Sequence, residues 1–131
     1  MKHELLSIQF YFGKFKGMST AFSRQRITAM IIELLKVKVI PEEREKYLQK
    51  DAEIWTQALT NFPGFLGKEV WLNPSEPTEV ILIIRWATKA QWKSISPVVL
   101  DKIEHQFAQQ LGNTYQIIDS AEYQVYEFSQ P

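Results

Sequence analysis

The side chains in this chain that could do chemistry are few and widely spaced. It has two histidines, His3 and His105, and no cysteine. His105 is therefore the one imidazole beyond the extreme N-terminus. As a base or ligand it needs a partner that fixes its tautomer. It follows Ile103 and Glu104, beside an apolar stripe rather than on it, which suits a solvated or interface position. Arg85 sits inside the apolar run EVILIIRW (79–86). A guanidinium there calls for a carboxylate, from Glu33, Glu69 or Glu122, or for an anionic substrate. Lys36 and Lys38 share one strand face, where pairing with carboxylates across strands is the plainer expectation. Trp71, Trp86 and Trp92, with Tyr123 and Tyr126, could line a cavity for a flat hydrophobic ligand. The same residues would also serve as ordinary core and interface packing. Trp55 falls on a helical stripe and reads as core.

Several chemistries drop out at this point. Without cysteine there are no disulfides, thiolate metal sites or Cys nucleophiles, which suits a reducing compartment and a cytoplasmic location. With one available histidine, a transition-metal site and a Ser-His-Asp arrangement are both poorly supplied, so no metal is expected. There is no Gly-rich phosphate loop and no nucleophile elbow, and no cofactor is expected. Lys plus Arg number 15 and Asp plus Glu number 15, so no net field favours nucleic acid. No apolar run approaches the roughly 18–20 residues that span a bilayer.

The elements that must hold these side chains follow from periodicity. IIELLKVKVI (31–40) reads as a strand ended by Pro41. Pro41 then opens a helix through about residue 62, with Glu42 and Glu43 at its positive end. Its expected stripe is Leu48, Ala52, Trp55, Leu59 and Phe62. Phe62-Pro-Gly-Phe65 stops it, and 65–73 forms a second strand. PSEPT (74–78) is a hairpin loop into the strand 79–86. Thr88 and Gln91 have the capping-box form for a short helix through Trp92 and Ile95. Pro97 starts a second helical piece with the stripe Leu100, Ile103, Phe107 and Leu111, ended by Gly112. TYQIID suggests a short extended piece, and 120–128 the last strand. The order βαββαβ predicts an α+β, ferredoxin-like fold: a four-stranded antiparallel sheet with two helices on one face. The domain is expected over 30–131. Residues 1–29 carry five basic residues and one acid. They read as an appendage, disordered or from an upstream start, or else as a basic aromatic arm that docks on a partner or membrane surface.

Strand 79–86 does not alternate. Val80, Leu82, Ile84 and Trp86 would face one way, and Ile81 and Ile83 the other. Two helices cover only one face. The second is expected to be covered by another copy of the chain, sheet against sheet, with the N-terminal segment as the rival cover.

VKVIPEEREKYLQKDAEIWTQALTNFPGFLGKEVW followed by TEVILIIRWATKAQWKSI resembles the antibiotic-biosynthesis-monooxygenase-like superfamily of dimeric α/β barrels. The shared pattern is a strand, V.P, a helix, PGF, a strand, and a further strand ending in Trp. The likeness covers about 31–128, and within the superfamily the chain resembles a small family associated with cyanobacteria. The resemblance implies a dimeric α/β barrel and, among members, cofactor-independent oxygenases or haem-degrading enzymes. Trp92 and His105 could take the places of the Trp and His that haem-degrading members use. Their first-strand Asn has no counterpart in 31–40, whose polar residues are Glu33, Lys36 and Lys38. The oxygenases' Asn beside a phenolic substrate has only Asn73 near it, at a loop edge. Taken together, the expectation is a homodimer that binds or oxidises a small hydrophobic or aromatic molecule without metal or flavin. Its ligand candidates are Trp71, Trp86, Trp92, Arg85, His105 and Tyr126. The alternative is a non-catalytic dimerisation or stress-linked accessory module.

Overall fold

The computed structural model describes residues 26–128. In chain order these are β1 (Arg26–Val39), a composite helix α1, β2 (Phe65–Leu72), β3 (Glu79–Trp86), α2 (Lys89–Lys93), α3 (Pro97–Leu111) and β4 (Tyr115–Glu127). α1 is built from a 3-10 turn (Pro41–Glu43), an α-helix (Arg44–Lys50), a π-helical stretch (Asp51–Thr56) and a last α turn (Gln57–Leu59). The sheet order is β2-β3-β1-β4, with β3 antiparallel to both neighbours. This is the ferredoxin-like α+β arrangement that the order of elements predicts.

The helices number three among the described residues, not two. Thr88 caps α2, its side chain accepting from the Gln91 N–H, as the capping box requires. α2 and α3 separate because Pro97 disfavours helical geometry at Ser96, which is extended (φ −61°, ψ 127°). Gly112 ends α3 at φ 62°, a conformation that suits glycine. β1 begins at Arg26 rather than residue 31. β4 runs unbroken from Tyr115, where a short piece and a separate strand had been expected. The expected extension 1–29 lies largely outside the described residues.

The register sets the two faces of the sheet. Val80, Leu82, Ile84 and Trp86 are all buried on the helix side, beside Ile31, Glu33, Leu35 and Val37 of β1. On β2 a bulge between Phe65 and Gly67 shifts the parity. Phe65 pairs with Trp86, and Lys68 with Ile84, so both belong to the helix side; Glu69 and Trp71 belong to the other. Without that extra residue Phe65 and Trp71, six positions apart, would share a face; the bulge puts them on opposite faces. The second face carries Ile32, Leu34, Ile81, Ile83 and Arg85 along β1 and β3.

The stripe on α1 also differs from expectation. Tyr47, Asp51 and Leu59 are buried, with Trp55 half-buried between them, while Ala52 is exposed. A spacing of four drifts off one face of an α-helix, which repeats every 3.6 residues. The wider winding of the π stretch takes up that drift. The core forms two clusters. One centres on Val37, Tyr47, Val80, Leu82 and Phe107, the other on Leu59, Ile84 and Trp86, and Leu35 packs against both. Ala29–Val125 is one compact unit. Residues 26–28 and 126–128 belong to a second, in which the Tyr126 and Phe128 rings meet edge to face at 5.0 Å.

Candidate functional site

A cavity of about 430 Å³ lies between the helix-side face of the sheet and the helices, where the two core clusters meet. Its size is that of a small-molecule site. Leu35, Leu82, Ile84 and Trp86 line it from the sheet; Trp55 and Leu59 from α1; Trp92 from α2; Phe107 from α3. Into this apolar space the fold places a small set of polar groups: Glu33, Asp51, Lys68, Glu104 and Tyr115, with the exposed Asp101 also in the lining.

Glu33 and Lys68 are placed by the register. Each pairs with Ile84, from opposite sides, so Glu33, Ile84 and Lys68 form one row across the sheet. Two strand spacings separate the outer members, about 9–10 Å. Trp86 donates its indole N–H to Glu33 Oε1 at 3.1 Å. Burial raises the Glu33 carboxyl above its ordinary range, and the Trp86 hydrogen bond, Lys93 and Lys68 only partly oppose this.

Lys68 reaches up to the π stretch of α1. Its Nζ lies 2.6 Å from Asp51 Oδ2 and 3.0 Å from Thr56 Oγ1. Both side chains of this ion pair are 3% exposed. Burial raises the Asp51 carboxyl, with the Lys68 charge and hydrogen bond pulling it down. Asp51 Oδ1 is buried and has no hydrogen-bond partner. Glu104 is the opposite case. It accepts from the Tyr115 hydroxyl on one oxygen and from Trp55 Nε1, at 3.1 Å, on the other. Burial, and then the bond to Glu104, push the Tyr115 phenol up. Tyr115 also packs against Tyr47 and Phe107, so this network fixes the Trp55 ring against the cavity wall.

Of the residues singled out in the sequence, the cavity brings together Trp86 and Trp92. Lys93 lies over the Trp92 ring at 3.8 Å. Arg85 and Trp71 are on the other sheet face, where Glu69 accepts from both, at 3.2 Å and 2.9 Å. Of the three carboxylates considered for Arg85, Glu69 is the partner, while Glu33 points to the helix side. Glu122 instead meets Lys89 at 3.2 Å. His105 is exposed on α3, 3.3 Å from Gln109. Among the described residues, none of the side chains lining the cavity is a histidine. Tyr126 lies beside Phe128, in the other unit. Among the described residues no cluster of three or more His, Asp or Glu is arranged to hold a metal ion. No helix among them is long and apolar enough to cross a membrane.

Glu33, Asp51 and Lys68 carry the polar chemistry of the cavity, and none was singled out as a ligand contact from sequence. The signal for Glu33 was its parity, since it alternates with Ile31, Leu35, Val37 and Val39 on the buried side. The family model for antibiotic biosynthesis monooxygenases matches residues 30–95, which include all three. The chain belongs to that family. Among solved structures, a Bordetella bronchiseptica protein named for the same family is 14% identical, with a TM-score of 0.61 over 75% of this chain and 98% of that one. A protein from Shewanella oneidensis is 15% identical, with a TM-score of 0.56 over 78% and 97%. A conserved protein from Methanosarcina mazei Go1 is 14% identical, with a TM-score of 0.55 over 73% and 92%. At these identities the likeness shows a shared fold. No protein of curated function matches the chain.

Proposed function

We propose that this family member binds a flat, hydrophobic phenolic molecule in the cavity and oxidises it with molecular oxygen, without metal or flavin. The observation that carries this reading is the cavity itself. It is walled by Trp55, Trp86 and Trp92; of its carboxyls, Asp51 is paired with Lys68 and Glu104 is held by Tyr115 and Trp55, while Glu33 is held only by the Trp86 indole, and its burial makes it a stronger base once ionised. Glu33 takes a proton from the substrate, and Trp86 holds the carboxyl in place. The resulting carbanion is electron-rich and reacts with oxygen. A ring methylene becomes a carbonyl; one oxygen atom forms that carbonyl and the other leaves with both hydrogens as water. All the electrons come from the substrate, so no external reductant enters. The test is oxygen uptake by chelator-treated protein given a panel of two- and three-ring phenols with a ring methylene. Uptake with stoichiometric ketone or quinone is expected; no uptake with any member contradicts the oxidation.

The apolar second face supports a homodimer, packed sheet to sheet over Ile32, Leu34, Ile81 and Trp71. Sedimentation at micromolar concentration should give the mass of two chains, and a monomer would contradict the pairing. The absence of cysteine favours the cytoplasm as the location.

A further inference from the structure

The oxidation reading gives no part to Asp51, which also lines the cavity. Asp51 is 2% exposed, and its two oxygens are treated differently. Oδ2 is held by Lys68 at 2.6 Å, while Oδ1 has no partner. Buried carboxylate oxygens are normally satisfied, and leaving one bare is costly. The neighbouring Glu104 follows that rule, with both oxygens occupied. Asp51 lies in the π stretch, and interruptions of this kind recur at functional sites. The Lys68 charge keeps an anionic acceptor at the cavity wall, and Thr56 takes another Lys68 hydrogen, which fixes the ammonium in place.

We propose that Asp51 Oδ1 is the acceptor for a hydroxyl or N–H group on the bound aromatic molecule, so that the preferred ligand is a planar ring system carrying a hydrogen-bond donor at its edge. The inference rests on the cavity being a ligand site, as proposed above, and adds which ligands it selects. The row Lys68–Ile84–Glu33 sets the spacing. A donor anchored at the Lys68 end leaves the far side of a two-ring molecule near Glu33.

The probes are 2-naphthol and its methyl ether, 2-methoxynaphthalene, which differ in the donor and little in apolar surface. Calorimetric titration of the full chain should show naphthol binding about 10- to 100-fold tighter, the value of a hydrogen bond to a charged acceptor. In Asp51→Asn the amide oxygen stays on Lys68 and the NH2 turns to the cavity, so the preference should fall below about threefold. The double variant Asp51→Leu/Lys68→Met removes the pair without leaving a lone charge, and should also bind the two probes alike. Equal affinities in the unmodified protein would overturn the Asp51 assignment while leaving the cavity reading intact. The same holds for a naphthol preference that survives in either folded variant. If neither probe binds, both readings fall.

Discussion

Replacing Lys68 with Met should destabilise the domain by about 3–5 kcal/mol, because it leaves a buried carboxylate without its partner. Asp51 and Lys68 are each 3% exposed at the side chain, so water cannot take over from the lost ammonium. A loss of this size is a large part of the 5–15 kcal/mol that holds a typical domain. It should also depend on pH. Burial raises the Asp51 carboxyl, and without Lys68 nothing opposes that rise. A carboxyl with a raised folded pKa is tolerated while protonated, in acid, and costs stability as pH climbs towards that folded value. The variant should therefore lie closest to the parent protein in acid and fall away from it towards neutrality. Urea unfolding at several pH values measures this. Adding Asp51→Leu to Lys68→Met should restore most of the stability, since an apolar pair of similar volume replaces the ion pair. A loss below about 1 kcal/mol in the single variant would mean that the pair is solvated, as a surface bridge is.

Glu33→Gln should separate stability from turnover in opposite directions. If Glu33 is the general base, its removal should slow oxidation by about 10²- to 10⁴-fold. Gln keeps an acceptor for the Trp86 indole, so the cavity should hold its shape and ligand affinity should change little. Stability should rise at neutral pH. The Glu33 carboxyl is raised by burial, so in the parent protein its favourable neutral form is lost as pH increases through the folded value. The variant has no such loss. The rate profile should carry the same signature: an acid limb above the ordinary carboxylate range in the parent protein, absent in Glu33→Gln. Turnover within about threefold of the parent would remove Glu33 from the base role.

Much of the fold was legible because local signals agreed with one another. The two-sided apolar pattern of 79–86 marked a central strand, and it is paired on both edges. Pro41, the Thr88–Gln91 box, Pro97 and Gly112 set helix ends where their backbone chemistry requires. The earlier start of β1 was also there to be read, since Ile27 and Met30 extend an apolar pattern that the expected strand start at residue 31 cut short. The candidate site was harder to see. Four of its polar members, at 33, 51, 68 and 104, come from four elements, and only tertiary packing brings them to one cavity. Lys68 was further hidden by the bulge at Phe65/Gly67, which reverses the parity on which face assignments depend. Asp51 was hidden by the π stretch, since a regular helical count gives Ala52 the buried place. Glu33 was visible in principle, because a carboxylate in the buried parity of a strand must be paired, protonated or functional. The volume of the cavity was not legible at all. It depends on how far Trp92, Phe107 and α1 stand off the sheet, a difference of packed volumes that no pattern of residue types records.

The cavity as a binding site can be tested through the four tryptophans, whose indole N–H groups give separate signals. Trp55, Trp86 and Trp92 line the cavity, while Trp71 lies on the opposite face, bonded to Glu69. Titrating 15N-labelled protein with 2-naphthol should shift the first three indole resonances along one common binding curve and leave the Trp71 signal in place. A shift confined to Trp71, or no shift in any of the four at saturating probe, would contradict the account.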